Sequence, residues 1–133
     1  MPATTRPRPY YLNLFRIRLP LPGFVSILHR VSGFFLFAGT PLLLWALQKS
    51  LSSPTAYADL TAIFAFTWIG IPLVKLIVLG LGWSLFHHLF AGIRYLVIDV
   101  NHNAADLPWA RKSAMAVLIV SLALTAILGV RLW

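Results

Sequence analysis

The chain has 133 residues, 59% of them hydrophobic, and no cysteine. Eleven basic and three acidic residues give a net charge of +8, so 11% of positions are charged, against about 25% in an ordinary soluble domain. So few charges cannot cover a soluble surface of this size, which places the chain in a membrane. The missing thiols exclude a disulfide scaffold, a thiolate metal site, an iron–sulfur cluster held by this chain and a cysteine nucleophile.

The first stretch, residues 1–22, is polar and basic, opening MPATTRPRPYY. No short apolar core with a cleavage site follows it, so it does not read as a secretory signal. The first span is predicted over about residues 23–48, GFVSILHRVSGFFLFAGTPLLLWALQ. A helix rising 1.5 Å per residue crosses roughly 30 Å of hydrocarbon in about 20 residues, so its first turn and a half can sit at the interface. Pro41 is internal and predicts a kink of the kind membrane helices accept. KSLSSPTAYADLTA reads as a loop. Ile63 to Pro72 is too short to span and reads as an interfacial helix ended by Pro72. A second span is predicted over about 75–98, with Lys75 and Arg94 snorkelling at its two ends. DVNHNAADLPWARKS reads as a polar loop, and a third span covers about 114–133. The expected fold is therefore all-α: one membrane-anchor domain over residues 1–133, with three transmembrane helices.

The charge is distributed as topology, not as a nucleic-acid footprint. Arg6, Arg8, Arg16, Arg18, Arg111 and Lys112 fall on one side of these spans, and Lys49 and Arg131 on the other. Nucleic-acid binding needs a solvated basic face, which such spans do not offer. The bias predicts an N-terminus in the cytoplasm and a C-terminus outside. Small residues recur at helical spacing as Gly80, Ser84 and Gly92, and as Ser121, Thr125 and Gly129. They allow close helix packing, either within the chain or against a partner subunit.

An ionisable residue within a span is a functional candidate because it is expensive there. Ser26, His29 and Arg30 fall at i, i+3 and i+4 on the first span, a spacing that predicts one shared face. They suit a carboxylate, a phosphate or a carbonyl-bearing ligand, or else simple contact with lipid headgroups. His87 and His88 point about 100° apart. His88 lies on the Gly80, Ser84, Gly92 stripe, where a flat macrocycle ligated through Nε2 could approach, or where the ring could bond to a neighbouring helix. His87 shares a more crowded face with Trp83, Ala91 and Arg94. His88 lies roughly 15 Å and His29 about 10 Å from the same membrane face, within reach of one propionate-bearing ring. A single histidine leaves the other axial position to another residue of this chain or to a partner; His102 is in a loop and poorly placed, which favours a partner.

SILHR-x-SG on the first span, followed by H-x3-GIR-x4-D on the second, with RP near the N-terminus and a third apolar span, resembles the cytochrome b subunit of succinate dehydrogenase, the membrane anchor of respiratory complex II. The likeness covers nearly the whole chain. It implies a three-helix anchor in the bacterial inner membrane. That anchor would work with a second hydrophobic anchor subunit, an iron–sulfur subunit and a flavoprotein subunit, share one haem b and form part of a ubiquinone site. By motif, His88 matches the haem iron axial ligand, Ser26 and Arg30 match quinone-site residues, and His29, with Arg30 beside it, falls near the haem propionates. Tyr95 stands where some relatives carry histidine, and His87 has no firm counterpart. Electrons from succinate would pass through iron–sulfur clusters to ubiquinone, with no succinate chemistry in this chain. The alternatives are the anchor of a quinol–fumarate reductase and a haem-free structural anchor. A proton-coupled transporter is disfavoured, because Asp59, Asp99 and Asp106 all lie at or beyond span ends.

Overall fold

The computed structural model describes residues 18–133 and, of His102, the backbone only. Most of the N-terminal segment 1–22, including Arg6, Arg8 and Arg16, lies outside the described residues. Helix α1 covers Leu21–Ser52, α2 covers Pro54–Ala65, α3 covers Leu73–Val100 and α4 covers Leu107–Leu132. Three of them, α1, α3 and α4, are long and apolar enough to cross a membrane. At 1.5 Å per residue the 32 residues of α1 reach about 48 Å, so both its ends emerge from a 30 Å hydrocarbon layer. Pro41 does not interrupt α1.

Two stretches expected to be loops are helical. Residues 54–62, within the expected loop, open α2: the Ser53 hydroxyl accepts from the Ala56 amide at 3.1 Å, and Pro54 occupies the first turn, where a missing N–H does no harm. Ser-Pro here is a helix start, and the polar composition hid it. The helix α2 ends at Ala65. It is followed by a tight turn in which Trp68 and Ile71 exchange two backbone bonds of 2.9 Å. Ile69 and Gly70 both take positive φ, 53° and 76°. A β-branched residue is strained there, and Ile69→Gly is expected to stabilise this turn. Similarly, α4 starts at Leu107 and not at Ala114, with Pro108 in its first turn. A single 3₁₀ turn, His102–Ala105, closed by Asn101 Oδ1 on the Asn103 amide at 3.1 Å, joins α3 to α4. Arg111 and Lys112 are therefore helical.

Helix α3 is central and packs on both α1 and α4. Apart from His87 and Arg94 on α3, what the bundle buries is small: Ser84 and Ala91 on α3, Val25 and Ser32 on α1, Ala110, Ala114, Val117 and Ser121 on α4. Large apolar side chains such as Phe34, Phe37, Leu85, Ile119 and Val130 point outward. This inside-out arrangement suits lipid, where close backbone approach replaces hydrophobic burial as the packing force. The Ser121, Thr125, Gly129 stripe is used within the chain: Ser121 is buried, and a side chain at Gly129 would meet Leu79 of α3.

Arg94 departs from the snorkelling expectation. It is 8% exposed and turned between α3 and α4, where Nε donates to Ser113 Oγ at 2.9 Å. The same hydroxyl donates to the Ala110 carbonyl at 3.2 Å. A long cation at a span end satisfies its donors on the neighbouring helix when an acceptor is nearer than water. Ser113→Ala is expected to destabilise the helix pair by about 1–3 kcal/mol, because it leaves a buried charged donor short of its acceptor. Thermal unfolding of the purified protein would measure it.

Candidate functional site

The polar residues of α1 and α3 meet in one place. His29 and His88 stack with ring centroids 4.2 Å apart and planes 16° from parallel. His88 Nδ1 lies 3.0 Å from the His29 backbone oxygen and 3.3 Å from Ser32 Oγ. The Ser32 hydroxyl itself donates to the same His29 oxygen, at 2.9 Å. A carbonyl cannot donate, so the 3.0 Å contact requires the proton to sit on Nδ1. In the neutral ring this arrangement is the Nδ1–H tautomer, and Nε2 has no hydrogen-bond partner among the described residues. That is the state in which a metal-ligating imidazole is held: one nitrogen donating to a carbonyl, the other free for the metal.

Gly33 sets the position of this ring. A β-carbon there would come within 2.8 Å of His88 Cε1 and 3.2 Å of Nδ1. Only hydrogen at this position lets the imidazole lie against the α1 backbone and reach the His29 carbonyl. Gly33→Ala is expected to push His88 off its acceptor and loosen the α1–α3 contact, which a lowered thermal-unfolding temperature of the purified protein would report. Ser32 and Gly33 were not singled out from sequence, although both stand in the SILHR-x-SG motif. The Gly80–Ser84–His88–Gly92 stripe plays a more divided part than its spacing suggested. A side chain at Gly80 would meet open space, while Gly92 faces His29 Nε2.

His87 is different in kind. Its side chain is 0% exposed, lies against Trp83 with centroids 5.2 Å apart, and has no hydrogen-bond partner on either ring nitrogen. It is enclosed within this chain.

The first-span cluster divides. His29 turns into the α1–α3 interface, between His88 and Tyr95, the latter ring 5.3 Å away. Ser26 is half-buried and Arg30 is exposed on the outer face of the same helix. The three do not share a single face: positions 29 and 30 are successive on a helix and project about 100° apart. Ser26 makes no hydrogen bond among the described residues, and Arg30 forms no ion pair there. A guanidinium on an outward helix face within a bilayer needs an anionic or polar partner, and none lies among the described residues.

Comparison with known proteins identifies the family. Residues 4–128 match the family model described as succinate dehydrogenase/fumarate reductase transmembrane subunit. The chain belongs to this family. It is 33% identical over 120 residues to the succinate dehydrogenase cytochrome b556 subunit of Paracoccus denitrificans, covering 90% of this chain and 88% of that one. It is 34% identical over 127 residues to the subunit of the same name from Coxiella burnetii (strain RSA 493 / Nine Mile phase I), covering 95% and 97%. As a member of the succinate dehydrogenase/fumarate reductase transmembrane family, the chain is a multi-pass membrane subunit of a larger assembly.

Proposed function

We propose that this chain is the cytochrome b anchor of a succinate:quinone oxidoreductase, with His88 as an axial ligand of a shared haem b and Ser26 and Arg30 as part of the quinone site. The observation that carries the reading is the placement of His88: Nδ1 lies 3.0 Å from the His29 carbonyl oxygen, and Nε2 has no hydrogen-bond partner among the described residues. The donor set fits haem iron, since one neutral imidazole offers one axial bond and the other falls to a second anchor subunit. His29 and Arg30, on the membrane face nearest that ring, are the residues to hold its propionates by charge-assisted bonds. When bound, the haem supplies a one-electron carrier beside the route to quinone.

The quinone chemistry rests on this chain's own groups. Reduction of a quinone to a quinol takes two electrons, supplied by iron–sulfur centres of a partner, and two protons. The Ser26 hydroxyl donates to one quinone oxygen and orients it. The Arg30 guanidinium sits where negative charge grows on that oxygen before protonation, and stabilises it without having to reorganise. Iron–sulfur and flavoprotein subunits are needed because this chain has no thiolate and no group for succinate oxidation. The distribution of basic residues supports a cytoplasmic N-terminus in a bacterial inner membrane.

An optical spectrum of the purified complex tests the haem assignment: a b-type band is expected, and its absence would leave a haem-free anchor. Steady-state rates with succinate and quinone, and with quinol and fumarate, establish which direction the complex favours. Succinate oxidation is the expected one, in line with the names of both relatives.

A further inference from the structure

At the opposite end of the bundle from His29 and His88, where α1 ends and α3 begins, α2 lies over the other helices without burying any of its own residues. Beneath it is a cavity of about 240 Å³ whose walls are entirely apolar, formed by Leu42, Ala46, Leu60, Phe64, Val74 and Val78 among others. A second hollow of about 120 Å³ adjoins it and shares Trp45, Leu60 and Ile63 with it. This outer hollow carries Lys49 and Asp59, one cation and one anion on the same rim, which form no ion pair with each other. The surrounding end of the bundle has the make-up of a membrane interface. Trp68 is exposed there, and Lys75 sits 5.3 Å over the Trp133 ring.

From this we propose that α1, α2 and α3 form a binding site for one zwitterionic phospholipid bearing a primary ammonium, of the phosphatidylethanolamine class. The apolar cavity would take an acyl chain, and the rim would take the headgroup. An apolar void of this size is a poor site for water, which needs two to four polar partners, but a good one for hydrocarbon. The rim then selects among lipids. Lys49 matches the phosphate, and Asp59 accepts from the ammonium hydrogens. Phosphatidylglycerol brings the same phosphate but only neutral hydroxyls to Asp59, with no cation to neutralise it. A quaternary choline offers no N–H to the carboxylate. The Trp45 indole, shared by both hollows, is amphipathic in the way a side chain at the acyl–headgroup boundary must be.

The experiment uses the intact complex, delipidated in detergent and reloaded with phosphatidylethanolamine, phosphatidylcholine or phosphatidylglycerol. Retained lipid is counted by native mass spectrometry. Wild type is expected to keep phosphatidylethanolamine roughly tenfold more tightly than the other two, the size of one charge-assisted hydrogen bond. Asp59→Asn should remove that preference, while Lys49→Ala, which loses the partner of the phosphate common to all three lipids, should lower retention of each. Ala46→Phe, which fills the cavity, should reduce retention of every lipid. Succinate oxidation with an artificial acceptor is followed in each variant to confirm assembly. Equal retention of the three lipids by wild type would overturn the proposal. So would retention that the charge variants leave unchanged, or a structure of the complex with a partner side chain or a quinone tail in the cavity.

Discussion

Replacing His88 with leucine is expected to abolish the b-type optical band of the purified complex, or to lower its haem content roughly tenfold or more, while His87→Leu keeps the band. The two rings are neighbours in sequence, and the structure separates them sharply. His88 is half-buried at the edge of the α1–α3 interface with one nitrogen anchored and the other free. His87 is enclosed, with both nitrogens unpartnered. A buried polar group without a partner costs about 1–3 kcal/mol relative to a satisfied one, so an isosteric apolar replacement is tolerated and can stabilise. The pair of variants is thus a controlled comparison: same helix, same substitution, opposite outcome. Loss of the band in His87→Leu with retention in His88→Leu would mean that the ligand is the enclosed ring, and that the His29 carbonyl merely ties two helices together.

Arg30→Leu is expected to lower quinone reduction by the complex roughly 10²-fold, the scale on which a single preorganised donor to a developing oxyanion acts. Succinate oxidation with an artificial acceptor should survive, because those centres lie in other subunits. Arg30→Lys keeps the charge but not the planar fork of donors, and an intermediate rate is expected. Ser26→Ala should weaken quinone binding with a smaller effect on turnover, since a neutral hydroxyl gains less than a cation as charge builds up. If Arg30→Leu depressed both assays equally, the residue would be holding the assembly together and not acting at the quinone.

The number, order and approximate limits of the three spans could be read from hydropathy alone, since lipid demands long apolar helices and little else can satisfy the backbone. The same logic made Ser26, His29, Arg30 and His88 conspicuous as polar residues in costly positions. Other features depended on information that spacing does not carry. The division of His29 from Arg30 follows from which side of α1 the third dimension assigns to α3. Gly33 becomes important only when His88 arrives across the interface, 55 residues later in the chain. Arg94 read as a snorkelling end because its acceptor, Ser113, lies on the far side of a turn and on a helix whose start had been placed too late. Helix α2 was concealed by Ser, Thr and Asp, residues that favour loops in general but serve as caps at particular positions, as Ser53 does.

The contact between His88 and the backbone of α1 has a consequence for how this protein can change over time. The acceptor that fixes the imidazole is a peptide carbonyl, and substituting the side chain of residue 29 does not delete it. Orientation of the ring is therefore stored in the path of the main chain, with Ser32 as an auxiliary partner and Gly33 as the clearance that admits it. The ring keeps its orientation so long as α1 keeps its helical course and residue 33 stays without a β-carbon. What holds the imidazole is the backbone beneath it, and side chains beside it can serve other ends.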